Sequence, residues 1–191
     1  MNIYDAYPET VSVDGKTYKL NLAYDRVLMA LDLQEDNALT PADRLETQCA
    51  LLVDGYRLGS MSVGEQQRIL CAIFEMFPKP DPEEKSGERY IDFHQDAAKI
   101  RSAFFRIGID LLKDKIHIFQ FLELLADLPS DTALMRTIEI RQKPIPKPNK
   151  DNAEQIAALQ KAKARVAIKM SEEERRKRFA ESLKNSSILR G

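Results

Sequence analysis

Between Tyr90 and Ile145 the chain carries three apolar segments divided by short polar breaks, and this stretch limits the fold more than any other. In YIDFHQDAAKIRSAFFRIGIDLL, Phe93, Ala97, Ile100, Phe104, Ile107 and Leu111 recur at spacings of three and four. A helix of 3.6 residues per turn brings such positions onto one face. Asp92, with Gln95 three residues on, predicts a cap for that helix. The break KDK leads into IHIFQFLELLADL, and Pro129 stops it. Ser130 or Asp131 is expected to cap the next helix, DTALMRTIEI. The run KPIPKP ends that helix, because proline lacks an amide proton and restrains the residue before it. Three such helices can bury one another, and none carries a catalytic constellation.

Upstream, TVSVDGKTYKLNL alternates apolar and polar residues around Asp14-Gly15. That dipeptide suits a type I′ hairpin turn, which needs positive φ at both positions. Val11 and Val13 would share a face with Tyr18 and Leu20. A lone hairpin is marginal, so it is expected to pack on helices. YDRVLMALDLQ predicts a helix with Val27, Leu28 and Leu31 inward. Thr40-Pro41 opens the next, threonine capping and proline at the first helical position, with Leu45, Cys49, Leu52 and Tyr56 in line. Ser62 and Glu65 form a capping box before a helix whose stripe is Ile69, Ala72, Ile73 and Phe77.

Around residues 78–89 the sequence PKPDPEEKSGER reads as a solvated linker. Composition shifts again after Pro146. AEQIAALQKAKARVAIKM has high helix propensity, with a narrow stripe of Ile156, Leu159, Val166 and Met170. Ser171 and Glu174 predict a further capping box, opening ERRKRFAESLK. Residues 141–191 hold 14 basic and 6 acidic residues, a net of +8; the totals of 29 and 30 leave 15 and 24 in residues 1–140, a net of −9. The two parts thus carry opposite fields, which bears on partners rather than on fold.

Several function classes find no support. No apolar run approaches the roughly 20 residues that span a bilayer. MNIYDAYPET has neither a basic start nor an apolar stretch, so no secretory signal is expected. Cys49 and Cys71 sit among apolar residues, which predicts two reduced, buried thiols and a cytoplasmic protein. His94 and His117 are the sole histidines; with Asp92, Asp96 and Asp114 they do not make a metal set, since His94 and Asp96, two apart, splay around a helix. His117 is expected instead to start a helix or satisfy a buried backbone group. No phosphate-binding glycine motif and no nucleophile with a base nearby occurs, so no cofactor and no enzymatic activity are expected.

Two stretches resemble a family of phage tail assembly chaperones, small proteins encoded near the tape measure protein. VDGKTYKLNLAYDRVLMALDL is similar to that family's hairpin running into an amphipathic helix with an early arginine, here Arg26. The block from Phe93 to Arg141 is similar throughout, matching at Phe93, Asp96, Ile100, Phe104, Ile109-Asp110-Leu111, His117, Phe121, Leu125, Leu128-Pro129, Asp131-Thr132 and Ile140-Arg141. The family tends to have tryptophan after the histidine, where Ile118 and Phe119 stand here. The likeness covers roughly residues 10–145 and brings no catalytic residues.

The reading is a mostly α fold: a helical core over residues 1–146 with an N-terminal β-hairpin, and a loosely attached basic helical tail over 147–191. The resemblance implies a non-enzymatic chaperone in the host cytoplasm that binds the tape measure protein and assists tail-tube assembly. Its partners would include the major tail protein and further copies of itself, with no membrane. Phe119, Phe121, Ile156, Leu159, Arg175, Arg176 and Arg178 are the expected partner-binding residues. The alternative is a nucleic-acid-binding or regulatory helical protein acting through ERRKRF, against which stands phosphate repulsion by the acidic part.

Overall fold

The structure, a computed structural model, describes residues 4–36, 38–78, 89–149 and 152–169. Its element order is β1 (Thr10–Val13), β2 (Lys16–Lys19), α1 (Tyr24–Glu35), α2 (Pro41–Leu52), α3 (Val63–Glu75), α4 (Ala97–Arg106), α5 (Ile118–Ala126), α6 (Ala133–Gln142) and α7 (Ala153–Val166). The fold is thus mostly helical with one N-terminal hairpin. The chain divides into two compact units, residues 1–86 with 104–128, and residues 87–103 with 129–191, the division falling within α4.

In the first unit the hairpin pairs Val11 with Tyr18 and Val13 with Lys16. Asp14 (φ 52°) and Gly15 (φ 76°) both lie in the left-handed region, as the two-residue turn requires. Val11, Val13 and Leu20 are buried against the helices. Tyr18 Oη donates to Glu65 Oε1 (2.6 Å) and Arg68 pairs with Asp14 (2.8 Å), fastening the hairpin to α3.

The segment following β2 is a seam for three distant stretches. Leu20 N donates to Glu9 O (2.7 Å), Asn21 N to Leu52 O (2.8 Å), and Tyr24 N to Ile116 O (3.0 Å), while Leu22 O accepts from Ile118 N (2.8 Å). Thr40 and Ser62 accept from the backbone N–H groups of Asp43 and Glu65, capping α2 and α3 as expected. The Glu65 carboxylate does not close the box but goes to Lys16 and Tyr18. The buried amide of Gln48 donates to Ala30 O (2.7 Å) and so joins α2 to α1. Behind them Phe104 and Phe121 stack at 5.0 Å, and Tyr24 stacks on Phe121 at 4.9 Å.

In the second unit Ile100, Ala103, Leu134 and Ile138 form the apolar interior. Asp92 Oδ1 accepts from His94 N (2.9 Å) and Gln95 N (2.7 Å), so the expected cap exists. It closes a turn ahead of α4, whose α-helix begins only at Ala97.

Other expectations need correction. Leu31 is exposed on α1, and Ala30 is buried instead. Tyr56 lies beyond α2, which ends at Leu52. Cys71 is exposed, because the face of α3 turned inward carries Gln66, Ile69, Leu70 and Ile73. Phe93 precedes α4 and Ile107 follows it, so neither keeps the helical phase that would bury it; both are 36% exposed. Thr132, not Ser130 or Asp131, caps α6, its Oγ1 accepting from Met135 N (3.2 Å). The linker expected around 78–89 falls almost wholly outside the described residues, as do Met170 and the capping box at Ser171.

Candidate partner-binding surfaces

The helix α5, IFQFLELLA, is strongly apolar; Ile118, Phe119, Phe121 and Leu125 are buried on one face and Glu123 is exposed on the other. His117 starts it. Its Nδ1 accepts from Phe119 N (3.2 Å), while Nε2 meets Pro8 O at 3.2 Å. The first contact needs an unprotonated Nδ1, and the second then places the proton on Nε2. Burial lowers the His117 pKa despite the opposing pull of Pro8 O and Glu9, which keeps the ring neutral. Tyr7 stacks on that ring at 4.9 Å and donates its hydroxyl to Glu123 (2.6 Å).

Phe119 and Phe121, expected on a binding face, are placed inside this unit. Phe119 meets Phe77 edge to face at 5.0 Å, and Phe121 lies between Tyr24 and Phe104. Both are buried, so neither offers an open surface.

Exposed apolar side chains of the first unit include Leu58 and Val63, and three more stand at the end of α4 and in the turn after it. Gly108 takes φ +87°, a conformation L side chains rarely adopt, and Ile109 N returns to Phe104 O (3.0 Å). Asp110 holds the next turn through Leu112 N (3.1 Å), and Tyr24 Oη donates to Leu111 O. Leu111 is buried by this arrangement and Leu112 is 71% exposed; likewise Phe104 is buried and Phe105 is 70% exposed. Phe105, Ile107 and Leu112 are therefore exposed apolar groups along one well-tied stretch of backbone, an apolar knuckle in sequence. The signal was present in the pair Phe104-Phe105, since adjacent residues of a helix do not share a face.

The second unit is built around Asp96, fully buried, and Arg141, whose side chain is 6% exposed. Arg141 Nη1 and Nη2 donate to Asp96 Oδ2 (2.5 Å) and Oδ1 (3.1 Å). Lys99 adds a bond to Oδ1 (2.9 Å) and Asp92 N one to Oδ2 (3.1 Å). Burial works against ionisation of Asp96, yet the bonds from Arg141, Lys99 and Asp92 N outweigh it and hold the carboxyl below its ordinary range. The same guanidinium reaches Tyr90 O (2.7 Å) and, through Nε, Val166 O (2.6 Å). Beside it the Gln95 amide donates to Ala167 O (2.8 Å) and accepts from Lys169 N (3.0 Å).

Arg141 and Gln95 therefore hold residues 166–169 entirely by main-chain atoms. Ile156 and Leu159 lie on the half-buried stripe of α7, which packs on α6 without burying any residue fully. The apolar packing of α7 is therefore shallow. Arg175, Arg176 and Arg178 lie outside the described residues. Among the described residues no cluster of His, Cys, Asp and Glu could hold a metal, and no helix is long and apolar enough to cross a membrane.

The bacteriophage Gp15 protein family matches this chain over residues 3–168. The chain belongs to that family. The match takes in both units and runs through α7 to the segment held by Gln95, beyond the stretch 10–145 where the tail-chaperone likeness was read. Family membership establishes a bacteriophage protein. No curated protein and no solved structure is significantly similar to the chain.

Proposed function

We propose that this protein is a non-enzymatic chaperone of phage tail assembly that acts in the host cytoplasm and binds the tape measure protein while tube subunits are recruited. Membership of a bacteriophage family supports the phage setting, and the likeness of residues 10–145 to tail assembly chaperones supports the task. The observation that carries the binding mode is the knuckle of Phe105, Ile107 and Leu112, apolar groups held out to solvent by a turn tied at Gly108 and Asp110. A long helical client with an apolar stripe is what such a projection fits. Several copies along one client would gain strength from effective concentration instead of from one tight site.

Co-expression with the tape measure protein of the same phage tests this. Soluble client should rise several-fold, in complexes holding more than one copy of this chain. Phe105→Ser with Leu112→Ser should abolish the complex while the melting temperature of the free protein stays within a few degrees. A client that remains insoluble beside the wild-type chain, with duplex DNA bound tightly and released steeply by salt, would replace this reading with the nucleic-acid alternative.

A further inference from the structure

Gln95 and Arg141 read only backbone. Their three contacts to residues 166–169 involve Val166 O, Ala167 O and Lys169 N, and no side chain of that segment is fully buried. A carboxamide that both donates to and accepts from an extended strand, as Gln95 does, completes the same pair of bonds a neighbouring strand would make. Nothing in these contacts requires that segment and clamp belong to one molecule.

The connection between α6 and α7 makes the exchange sterically open. It runs from Lys143 to Asn152, and Pro144, Pro146 and Pro148 alternate through it. Its described part has no regular structure. Proline at alternate positions favours extended chain, about 3.1 Å per residue, so the six residues from Lys143 to Pro148 span roughly 19 Å. That exceeds the roughly 10 Å diameter of a helix. The other contacts of α7 are shallow: Lys163 Nζ donates to Arg141 O (2.6 Å), and the half-buried apolar stripe sits on α6.

We infer that α7 with residues 166–169 is an exchangeable arm, and that at high local concentration it docks on the Gln95–Arg141 clamp of a second copy of this chain. Every bond lost in opening is remade in the neighbouring molecule, so the open and closed forms differ mainly by the hinge and by concentration. The arm and clamp are different surfaces, and the exchange can close as a reciprocal pair or continue as a row. The inference rests on the reading of a coating chaperone only for its biological setting, since a row of copies on one client supplies the concentration. Exchange itself is measurable without any client.

Sedimentation of the full chain from about 10 µM to about 1 mM should show a monomer passing to dimers or longer species. In the full chain Gln95→Ala removes the same two hydrogen bonds from the closed and the exchanged forms, so it should shift their equilibrium little. A synthetic peptide of residues 153–169 in excess should return the wild-type assembly to monomer. Deleting Pro144 to Lys147, which shortens the hinge, should stabilise the dimer, and Gln95→Ala in that background should undo it. A chain that stays monomeric to about 1 mM overturns the inference, as does a wild-type assembly indifferent to the peptide or a hinge-shortened dimer indifferent to Gln95→Ala. Either failure leaves client binding through Phe105 and Leu112 to be judged by its own experiment.

Discussion

Asp96 and Arg141, 45 residues apart, meet as a two-point ion pair inside the second unit, with Nη1–Oδ2 at 2.5 Å and Nη2–Oδ1 at 3.1 Å. The pair joins the turn before α4 to the last turn of α6, and the same guanidinium continues to Tyr90 O and Val166 O. Removing one partner leaves a buried, uncompensated charge, which is costlier than the pair itself is favourable.

Asp96→Asn should therefore destabilise the second unit by about 3–5 kcal/mol, read by urea unfolding. The folded-state pKa of Asp96 lies below the unfolded value, so its contribution is complete above about pH 4 and is lost as pH falls through the folded pKa. The wild-type protein should lose stability on acidification in that range, and Asp96→Asn should flatten the loss. Equal acid slopes in the two proteins would mean other carboxylates govern acid unfolding.

Neighbouring phenylalanines should differ sharply. Phe104→Ala removes a fully buried ring from the stack with Phe121 and should cost about 3–5 kcal/mol. Phe105→Ala should stay within about 0.5 kcal/mol. A Phe104 loss below about 1 kcal/mol would take that ring out of the core.

The thiols should separate by reactivity. Burial, with Glu46 adding to it, pushes the Cys49 thiol up to about 12, whereas Cys71 is exposed. The thiolate is the attacking form. Iodoacetamide at pH 8 should place one adduct, on Cys71, in native protein and a second only after unfolding. Mass spectrometry showing both sites modified at one rate would contradict the burial of Cys49.

How far the sequence speaks depends on range. Caps at Thr40 and Ser62 and the Asp14-Gly15 turn are decided by residues within four positions of one another, and they were legible. His117 was legible as a helix start for the same reason, although its stacking on Tyr7 was not. Phe121 marks the limit: a phenylalanine on a short apolar helix reads equally as core or as binding face, and only Tyr24 and Phe104, from distant stretches, settle which. Gln95 was read as a capping partner of Asp92, and its backbone N–H does bond Asp92. Its amide, however, serves residues 167–169, more than 70 positions away, which no local pattern encodes.

The proposed division at Pro146 carries its own test. Truncation there removes α7, which buries no residue fully, and leaves Arg141 still bonded to Asp96 and Tyr90 O. Circular dichroism should show one cooperative melt, with stability within about 2 kcal/mol of the full chain. A broad, shallow transition would make α7 part of the core.

The seam after β2 also sets an order of events during synthesis. Glu9 and Leu52 reach it early, but Ile116 and Ile118 leave the ribosome some 94 residues after Tyr24. At about 5–20 residues per second that is a wait of roughly 5–20 s. Residues 87–103, which belong to the other unit, are made during the wait. Until Ile116 and Ile118 emerge, Tyr24 N and Leu22 O lack these bonds, and Phe121, made later still, cannot yet stack on Tyr24. A nascent chain stalled before Ile116 would hold the hairpin and α1 to α3 with an open apolar flank, the kind of surface that invites aggregation until α5 arrives.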